Sequence, residues 1–462
     1  MNRLFLPDLL LAGGKVQAGV GLLTGPGGIV LGVIGPENIM DAEVVRLTGK
    51  ALLPGLANAH SHSFQRLFRG RAEGRAVGGD TFWIWREQMY RAAGFVSPDS
   101  LYDVSRAVFL EMLLSGITVV GEFHYLHNQP SGLPYENPNQ LALEVLRAAE
   151  SVGIRICLLR TAYLRAGFQR EPHPGQRRFY EDSEAYLNHL EALIAAVQGK
   201  PQVTVGAAPH SIRAVPLEVY KQVAEFARQQ KIPLHTHISE QPAENQASLA
   251  EYGQTPVTLA AANGILSPQT TLVHAIHLTN AEFDQVAAAG STICSCPTTE
   301  RNLGDGIFPA DRAARLGIPV CYGTDSQAQI DILEDARQNE YHLRLVRRER
   351  GILDNIDGEP IAARLFNSTT ASGYRALGIS GGKLAQDEPA DFFTVNLDDL
   401  AILGLDAESL TEQAVFALGR SAIRDVAVQG RLVIEDGQHK FGDEIRARYR
   451  AIQQRFANGE EK

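Results

Sequence analysis

Apolar and polar residues follow one pattern in the middle of the chain and another pattern at its two ends. Between Leu52 and Leu377, short apolar runs alternate with stretches whose apolar residues recur every three or four positions, such as Leu217–Gln230 and Thr279–Ala289. The short runs predict buried strands, and the wider spacing predicts amphipathic helices. Strands that alternate with helices in this way favour a parallel sheet.

Eight strands are predicted in the middle part. They are Leu53–Ala59, Gly116–Val120, Ile154–Leu159, Val203–Ala207, Pro233–His237, Thr271–Ala275, Thr292–Ser295 and Pro319–Tyr322. Eight strands in roughly 320 residues predict an α/β fold, a (β/α)8 TIM barrel over residues 53–377. A doubly wound sheet is the competing fold, but no Gly-rich dinucleotide-binding motif follows the first strand.

The two ends of the chain consist of short apolar runs joined by Gly-rich turns. This pattern extends over Phe5–Thr48 and recurs in Pro389–Leu397 and Asp425–Asp436. Because chain termini often lie close together, we expect both ends to form one discontinuous β-sandwich domain, residues 1–52 and 378–440. Residues 441–462 are expected to form a C-terminal helix.

Composition and charge exclude several classes of protein. The chain has 462 residues, of which 44% are hydrophobic and 21% charged, as is ordinary for a globular protein with a large core. Its net charge is −10 and it has no long basic run, so we expect no nucleic-acid partner. No apolar stretch reaches the ~20 residues of a membrane span. Four cysteines in strand-like surroundings, expected to be buried and reduced, favour the cytoplasm.

Histidines concentrate at the ends of the predicted strands. Nine of the 13 lie at or just beyond a strand end: His60, His62, His124, His127, His210, His235, His237, His274 and His277. In a barrel, the C-terminal strand ends build the active site. Because side chains alternate along a strand, His60 and His62 point the same way and could share a metal ion.

Three further strand ends extend this candidate metal site. His237 ends the fifth predicted strand, and Glu240 follows three residues later, within reach of a ligand beside the metal. His274 lies at the end of the sixth strand, and Asp325 follows the eighth. Three histidines and one aspartate suit zinc or another divalent transition metal and leave a position for water.

These motifs resemble the amidohydrolase superfamily of metal-dependent hydrolases, and within it the mononuclear aminohydrolase branch, over nearly the whole chain. The resemblance implies one divalent metal ion, with Zn²⁺ preferred, on four ligands: His60, His62, His237 and Asp325. It also implies three catalytic residues: Glu240, His274 and Asp325. Dinuclear members carry a bridging lysine at the fourth strand, but Val203–Ala207 contains no lysine, which favours one metal.

A second set of motifs narrows the resemblance. It comprises Phe64-Gln65-Arg66, the Trp-Ile-Trp-Arg run ending at Arg86, Phe123-His124-Tyr125-Leu126-His127 and Pro209-His210-Ser211-Ile212-Arg213. They resemble the branch that hydrolyses N-formimino-L-glutamate to N-formyl-L-glutamate and ammonia in histidine degradation. That resemblance implies five substrate contacts: Gln65, Arg86, Tyr125, His210 and Arg213.

The charged residues of the candidate pocket suit such a substrate. It carries two carboxylates, and a guanidinium binds a carboxylate through two parallel hydrogen bonds, so two pocket arginines suit a small dicarboxylate. We expect the segment from Ser63 to Phe95, which holds Arg86, to be a long loop over the barrel mouth. The residue after His127 is often another histidine in this branch. Here it is Asn128, and we keep His124 and His127 outside the metal set.

Two alternative functions stay open. A deaminase of a nucleobase or nucleoside, such as guanine or an adenosine derivative, would use the same mononuclear metal site but should not depend on both Arg86 and Arg213. A non-enzymatic protein on the same barrel should have lost part of the metal set, whereas this sequence keeps all four residues. We also expect a homodimer, which similar proteins commonly form.

Overall fold

A computed structural model describes residues 1–35, 37, 42–74 and 81–459 of the chain. Sixteen strands lie in these residues: β1 Asn2–Ala12, β2 Lys15–Ala18, β3 Gly21–Thr24, β4 Val30–Ile34, β5 Ala42–Pro54, β6 Leu56–Ser61, β7 Ile117–His124, β8 Arg155–Ala162, β9 Val203–Pro209, β10 Leu234–Ile238, β11 Thr270–His274, β12 Thr292–Ser295, β13 Val320–Tyr322, β14 Phe392–Asn396, β15 Ile423–Val428 and β16 Arg431–Ile434.

The same residues contain fifteen α-helices: α1 Thr81–Phe95, α2 Pro98–Leu113, α3 Gln140–Val152, α4 Ser183–Val197, α5 Leu217–Gln230, α6 Pro242–Tyr252, α7 Pro256–Ala262, α8 Asn280–Ala289, α9 Pro297–Leu303, α10 Ala310–Arg315, α11 Ile332–Arg347, α12 Ile361–Thr369, α13 Ala371–Ala376, α14 Leu410–Phe416 and α15 Gly442–Asn458. No helix in this described part of the chain is long and apolar enough to cross a membrane.

Strands β6 to β13 form a parallel sheet in which each strand pairs with the next along the chain. The first and last strands meet through a bridge between Ser61 and Asp325. There, the His62 N–H donates to the Asp325 carbonyl at 3.0 Å, and the Asp325 N–H donates to the His60 carbonyl at 3.0 Å. The predicted eight-stranded parallel barrel is therefore confirmed, and it is nearly closed.

The burial of the barrel strands explains why their pattern was visible in the sequence. In β6, β7, β8, β10, β11 and β12 every residue is buried. Parallel strands covered by helices on one face and by the barrel interior on the other must be apolar on both, so they form continuous apolar runs. The start of the first barrel strand differs from the prediction, because Leu53 and Pro54 end β5 and the barrel strand begins at Leu56; β7 and β8 also extend further than predicted, to His124 and Ala162.

Both chain ends contribute to a second, mixed sheet. Its strands follow the order β16-β15-β14-β5-β1-β3-β4, and β2 pairs with β1. Strand β14 joins the two ends, since it runs antiparallel to β5 on one side and to β15 on the other. Phe5, Leu52 and Phe392 lie in the small core of this sheet. The union of the two ends is confirmed, and the exact domain boundaries stay a prediction.

A close approach of two turns also ties the ends together. Gly28 has a φ of 72°, and a Cβ atom added to it would collide with the Gln429 carbonyl. The Gly28 carbonyl accepts a hydrogen bond from the Ala390 N–H at 2.8 Å. Only glycine combines this left-handed backbone with such contact, so the Gly-rich turn serves packing between N-terminal and C-terminal segments.

The segment after β6 is not the expected long loop. Ser63–Phe68 forms a 3-10 helix and Thr81–Phe95 forms α1, whereas residues 75–80 lie outside the described part of the chain. Along α1, Trp85, Met89 and Ala92 recur at helical spacing and pack on the main core. The prediction of a continuous loop is therefore wrong, because this three-to-four spacing marks a packed helix.

A C-terminal helix, α15, extends over Gly442–Asn458 and packs on the barrel of its own chain. The Tyr449 hydroxyl donates to the Arg66 carbonyl at 3.2 Å, and the Gln453 side chain donates to the Leu67 carbonyl at 3.2 Å. Both acceptors belong to the 3-10 helix after β6. Helix α15 thus supports the segment that follows the first strand end.

Candidate active site

Four predicted metal ligands converge at the C-terminal end of the barrel. Strand β6 carries His60 and leads into His62, β10 carries His237, and Asp325 follows β13; all four are buried. The Nε2 atoms of His60 and His62 lie 3.4 and 3.2 Å from Asp325 Oδ1. The Nε2 atom of His237 lies 3.1 Å from His60 Nε2. The structure therefore brings the whole predicted set together.

The turn after β13 is held in an unusual conformation that aims Asp325 at the histidines. The φ of Asp325 is 46°, which non-glycine residues seldom adopt. Besides the backbone bonds of Asp325 to β6, the Asn58 side chain donates to Thr324 Oγ1 at 2.7 Å and accepts from the Thr324 N–H at 3.0 Å. The barrel closure thus stabilises the local strain, as is common at functional sites.

Backbone carbonyls set the orientation of two imidazoles. His62 Nδ1 lies 2.9 Å from the Phe123 carbonyl, and His237 Nδ1 lies 3.1 Å from the His210 carbonyl. Since a carbonyl only accepts, each Nδ1 carries a proton and each Nε2 presents a lone pair to the centre. Inward-facing imidazole nitrogens around one carboxylate oxygen form a donor set that fits a divalent transition metal.

The protonation states of the group also suit a cation. Burial lowers the pKa of His60 to about 3, although Asp325 opposes this shift. Burial likewise holds the pKa of His237 well below its ordinary value. Burial would raise the pKa of Asp325, but the adjacent imidazoles of His60 and His62 outweigh it and keep that pKa well below the usual range. Neutral imidazoles and an ionised carboxylate are the forms that bind metals.

Two further predicted catalytic residues stand beside this group. His274 Nε2 lies 3.8 Å from Glu240 Oε1 and 3.9 Å from Asp325 Oδ2. Burial disfavours a charged imidazole at His274, but Glu240, Glu300 and Asp325 outweigh it and raise its pKa to about 10. His274 is therefore held between carboxylates, where it is positioned to exchange protons.

One residue of this centre was missed by the sequence analysis. Glu300 lies in helix α9, after the seventh barrel strand β12, and its Oε1 is 3.3 Å from His274 Nδ1. The available signal was positional, since Glu300 is the first acidic residue after a predicted strand end. No histidine motif surrounds it, so the sequence alone did not connect Glu300 with His274.

Three of the five predicted substrate contacts line the same mouth. Gln65 Nε2 donates to the Tyr125 hydroxyl at 2.8 Å. The Tyr125 ring lies 5.1 Å, centroid to centroid, from the ring of the predicted metal ligand His62. The His210 ring stacks on the His237 ring at 4.7 Å with an angle of 30°. These side chains form a polar and aromatic wall next to the His/His/His/Asp group.

The two predicted arginines face a common region. Burial raises the pKa of the phenols of Tyr90 and Tyr163, and the positive charges of Arg86 and Arg213 both oppose that rise. Arg86 belongs to α1 and Arg213 follows β9, so two elements far apart in the sequence place a positive charge in the vicinity of the same pair of tyrosines. Within the described residues, no carboxylate lies within 4.0 Å of Arg213.

His124 and His127 stay apart from the metal group, as expected. His127 Nε2 bonds to the Thr161 carbonyl at 2.8 Å, and it lies 3.8 Å from Glu181 Oε2. Burial lowers the pKa of both histidines, that of His127 to about 4. Together with Arg160, these groups form a structural network at the ends of β7 and β8.

Comparisons with known proteins agree with this geometry. The sequence profile of the amidohydrolase family matches residues 51–433. The chain is a homologue of the formimidoylglutamate deiminase of Pseudomonas aeruginosa, with 38% identity over 425 residues, or 91% of this chain and 92% of that protein. It is 31% identical to the 8-oxoguanine deaminase of the same bacterium over 362 residues, 76% of each. A crystal structure of an amidohydrolase from Brucella melitensis has a TM-score of 0.90 and 31% identity, and covers 98% of this chain and 100% of that one.

Proposed function

Because this chain belongs to the amidohydrolase family, we propose that it hydrolyses N-formimino-L-glutamate to N-formyl-L-glutamate and ammonia, a step of histidine degradation. One observation carries the choice of substrate: the positive charges of Arg86 and Arg213 both act to lower the pKa of the same two phenols, Tyr90 and Tyr163, and Arg213 also interacts electrostatically with Glu240. A site with two cations beside acid–base groups suits a small dicarboxylate with one hydrolysable carbon–nitrogen bond.

Electrostatics support this match. The substrate carries two carboxylates and a cationic formimidoyl group at neutral pH. Each guanidinium forms two parallel hydrogen bonds to one carboxylate, which fixes both the charge and the direction of the ligand. Gln65, Tyr125 and His210 supply shorter polar groups between the arginines and the proposed metal ligands. We propose that all five side chains contact the substrate.

We further propose that His60, His62, His237 and Asp325 hold one divalent metal ion, with Zn²⁺ the preferred ion for three imidazoles and one carboxylate. When bound, such an ion makes a water molecule acidic enough to act as a nucleophile near neutral pH. The outward hydrogen bonds of His62 and His237 support this proposal, because they keep the inward nitrogens unprotonated.

Three side chains orient the attacking water and transfer the protons. Asp325 accepts a proton from the attacking water, whose oxygen bonds to the formimidoyl carbon, and His274 orients that water. Glu240 passes a proton to the terminal nitrogen, so that the carbon–nitrogen bond breaks and ammonia leaves. The separation of 3.8 Å between Glu240 Oε1 and His274 Nε2 supports a shared role around one reacting atom.

A nucleobase deaminase is the second candidate, and the identity of 31% to 8-oxoguanine deaminase supports it. A nucleobase has no carboxylates, so neither guanidinium would find its natural partner. The greater identity and coverage of the formimidoylglutamate deiminase favour the dicarboxylate substrate.

The deciding experiment is ammonia release by metal-analysed protein from N-formimino-L-glutamate, guanine, 8-oxoguanine and an adenosine derivative. We expect release from N-formimino-L-glutamate alone, with about one metal ion per chain. Turnover of a nucleobase alone would refute the proposed substrate and keep the metal site.

Two expectations about the cellular state remain proposals. The four cysteines are free and buried, which supports a reducing compartment and hence the cytoplasm. The homodimer stays a prediction from the family resemblance, and light scattering during size-exclusion chromatography would test it.

A further inference from the structure

Glu300 is a buried carboxylate on the far side of the His274 ring from the proposed substrate. It is 2% exposed, and its Oε1 lies 3.3 Å from His274 Nδ1. The opposite ring nitrogen, Nε2, faces Glu240 and Asp325. The two nitrogens of one imidazole therefore have different environments, one structural and one open to the reacting atoms.

The carboxylate of Glu300 is itself firmly anchored. The Cys296 N–H donates to Oε1 at 2.7 Å, and the Ser295 hydroxyl donates to Oε2 at 3.1 Å. Ser295 ends barrel strand β12 and Cys296 directly follows it; β12 pairs with β11, the strand that carries His274. Glu300 is thus fixed relative to His274 by adjacent strands of a rigid sheet.

We propose that Glu300 is a positioning residue that keeps a proton on His274 Nδ1 and turns Nε2 toward the reacting atoms. The proposal rests on the proposed function and deepens it by assigning a residue that supports the proton transfer. A carboxylate only accepts hydrogen bonds, so its partner nitrogen must carry the proton. Which nitrogen of a histidine is protonated is set by the hydrogen bond that the other face of the ring makes.

The geometry predicts where the effect appears in the kinetics. In the described residues, the hydrogen bonds of the Glu300 carboxylate go to Ser295, Cys296 and His274, and none goes to a proposed substrate contact. Loss of the carboxylate would let the ring rotate or change tautomer, and would leave substrate binding at Arg86 and Arg213 intact. We therefore expect a lower kcat at an unchanged KM.

A second metal ion is the alternative explanation of this cluster. His274, Cys296 and Glu300 each offer a ligand atom, and these atoms lie within 4.8 Å of one another. However, a metal would have to replace the hydrogen bonds that Glu300 already accepts. Burial also raises the pKa of the Cys296 thiol well above its usual value, so the thiolate needed for metal binding is disfavoured.

The test is a double-mutant cycle with Glu300→Gln and His274→Ala. General acid–base catalysis contributes roughly 10²–10⁴-fold, so we expect Glu300→Gln to lower kcat by about 10- to 100-fold, a part of that contribution. KM and metal content should stay unchanged. In the His274→Ala background, Glu300→Gln should cause no further loss, because a residue that acts only through His274 has nothing left to position.

Glu340→Gln is the matched control. Glu340 is also fully buried, and it accepts from Arg344 Nε at 2.6 Å and from the N–H groups of Ile352 and Leu353 at 3.0 Å. It lies in α11, and neither Glu340 nor these hydrogen-bond partners belong to the proposed site. This variant should lower the thermal midpoint and leave kcat and KM unchanged, which shows what a purely structural carboxylate does.

Three results of the kinetic and metal measurements would overturn the proposal. They are an equal loss in both backgrounds, a loss explained by metal content or stability alone, or a second bound metal ion that Cys296→Ser removes. The cycle is run on whichever substrate the wild type hydrolyses, so a failed substrate proposal is distinguished from a failed role of Glu300. Nitrogen-15 spectra of histidine-labelled protein add a readout without turnover: Glu300→Gln should shift the His274 signal away from the Nδ1–H form, and an unchanged signal would refute the proposal.

Discussion

The sharpest test of the proposed substrate is the removal of one pocket cation, Arg213→Gln. Burial opposes the charge of Arg213, but Tyr163, Glu244 and Glu240 outweigh it and raise its pKa, so the guanidinium is cationic at any working pH. The side chain is half-buried, and no described carboxylate forms an ion pair with it. Its charge is therefore available to a ligand.

The expected magnitude follows from this environment. Truncation of one partner of a buried, hydrogen-bonded charge pair costs about 2–5 kcal/mol. Because Arg213 is only half-buried, we expect the lower part of that range, about 2–3 kcal/mol. This corresponds to a loss in kcat/KM of about 30- to 150-fold. The loss should appear mainly in KM, since Arg213 holds the substrate away from the bond that breaks.

The assay is steady-state ammonia release from N-formimino-L-glutamate and from N-formiminoglycine, which lacks the side-chain carboxylate. If each arginine binds one carboxylate, either Arg213→Gln or Arg86→Gln should lose most of its effect on the shorter substrate. Arg344→Gln is the control, because Arg344 pairs with Glu340 on α11 and lies outside the proposed site. An unchanged kcat/KM in Arg213→Gln, or an equal loss in the control, would refute the reasoning.

Three further predictions concern the metal, acid stability and the C-terminal helix. His237→Ala should lose bound metal and ammonia release together, as measured by metal analysis and turnover. Burial would raise the pKa of Glu181, but His127 and Arg160 outweigh it and lower it from 4.5 to about 2, so Glu181 should stabilise the fold by about 3 kcal/mol above pH 4.5 and lose this as pH falls toward 2. Glu181→Gln should accordingly flatten the acid limb of a urea-unfolding series. Deletion of residues 442–462 should raise KM, because α15 supports the 3-10 helix that carries Gln65.

Each of these predictions has a clear contrary outcome. A His237→Ala protein with one metal ion and normal turnover would exclude His237 as a ligand. Equal loss of stability between pH 5 and pH 3 in the wild type and Glu181→Gln would show that Glu181 is not the group that titrates. A truncated chain that folds and keeps the wild-type KM would separate α15 from the site.

Local patterns predicted the barrel because its strands obey a strong local rule. Strands buried on both faces are continuous apolar runs, and helices between them repeat every three to four residues, so Leu217–Gln230 was predicted with the bounds that α5 has. The rule failed at Leu53 and Pro54, which are as apolar as the barrel strand that follows. Whether such residues belong to one sheet or to the other depends on which strand pairs with them, and β14 is distant in sequence.

The candidate site likewise combines features that local sequence patterns predict with features that depend on contacts between distant parts of the chain. Histidines and an aspartate at strand ends were visible because each follows an apolar run, and strand ends of a parallel barrel meet at one face. The helix α1 that carries Arg86 was missed although its apolar residues Trp85, Met89 and Ala92 recur at helical spacing.

The residue types at the strand ends were thus determined by the sequence itself, and their order along the chain was enough to indicate a metal-dependent hydrolase. Only the tertiary structure decided which nitrogen of each histidine faces the centre, and it placed Glu300 behind His274. The carbonyl of Phe123 that orients His62 is 61 residues away from it along the chain. Hydrogen bonds of that kind form only when strands that are distant in sequence pair, here β6 with β7, so no local pattern can encode them.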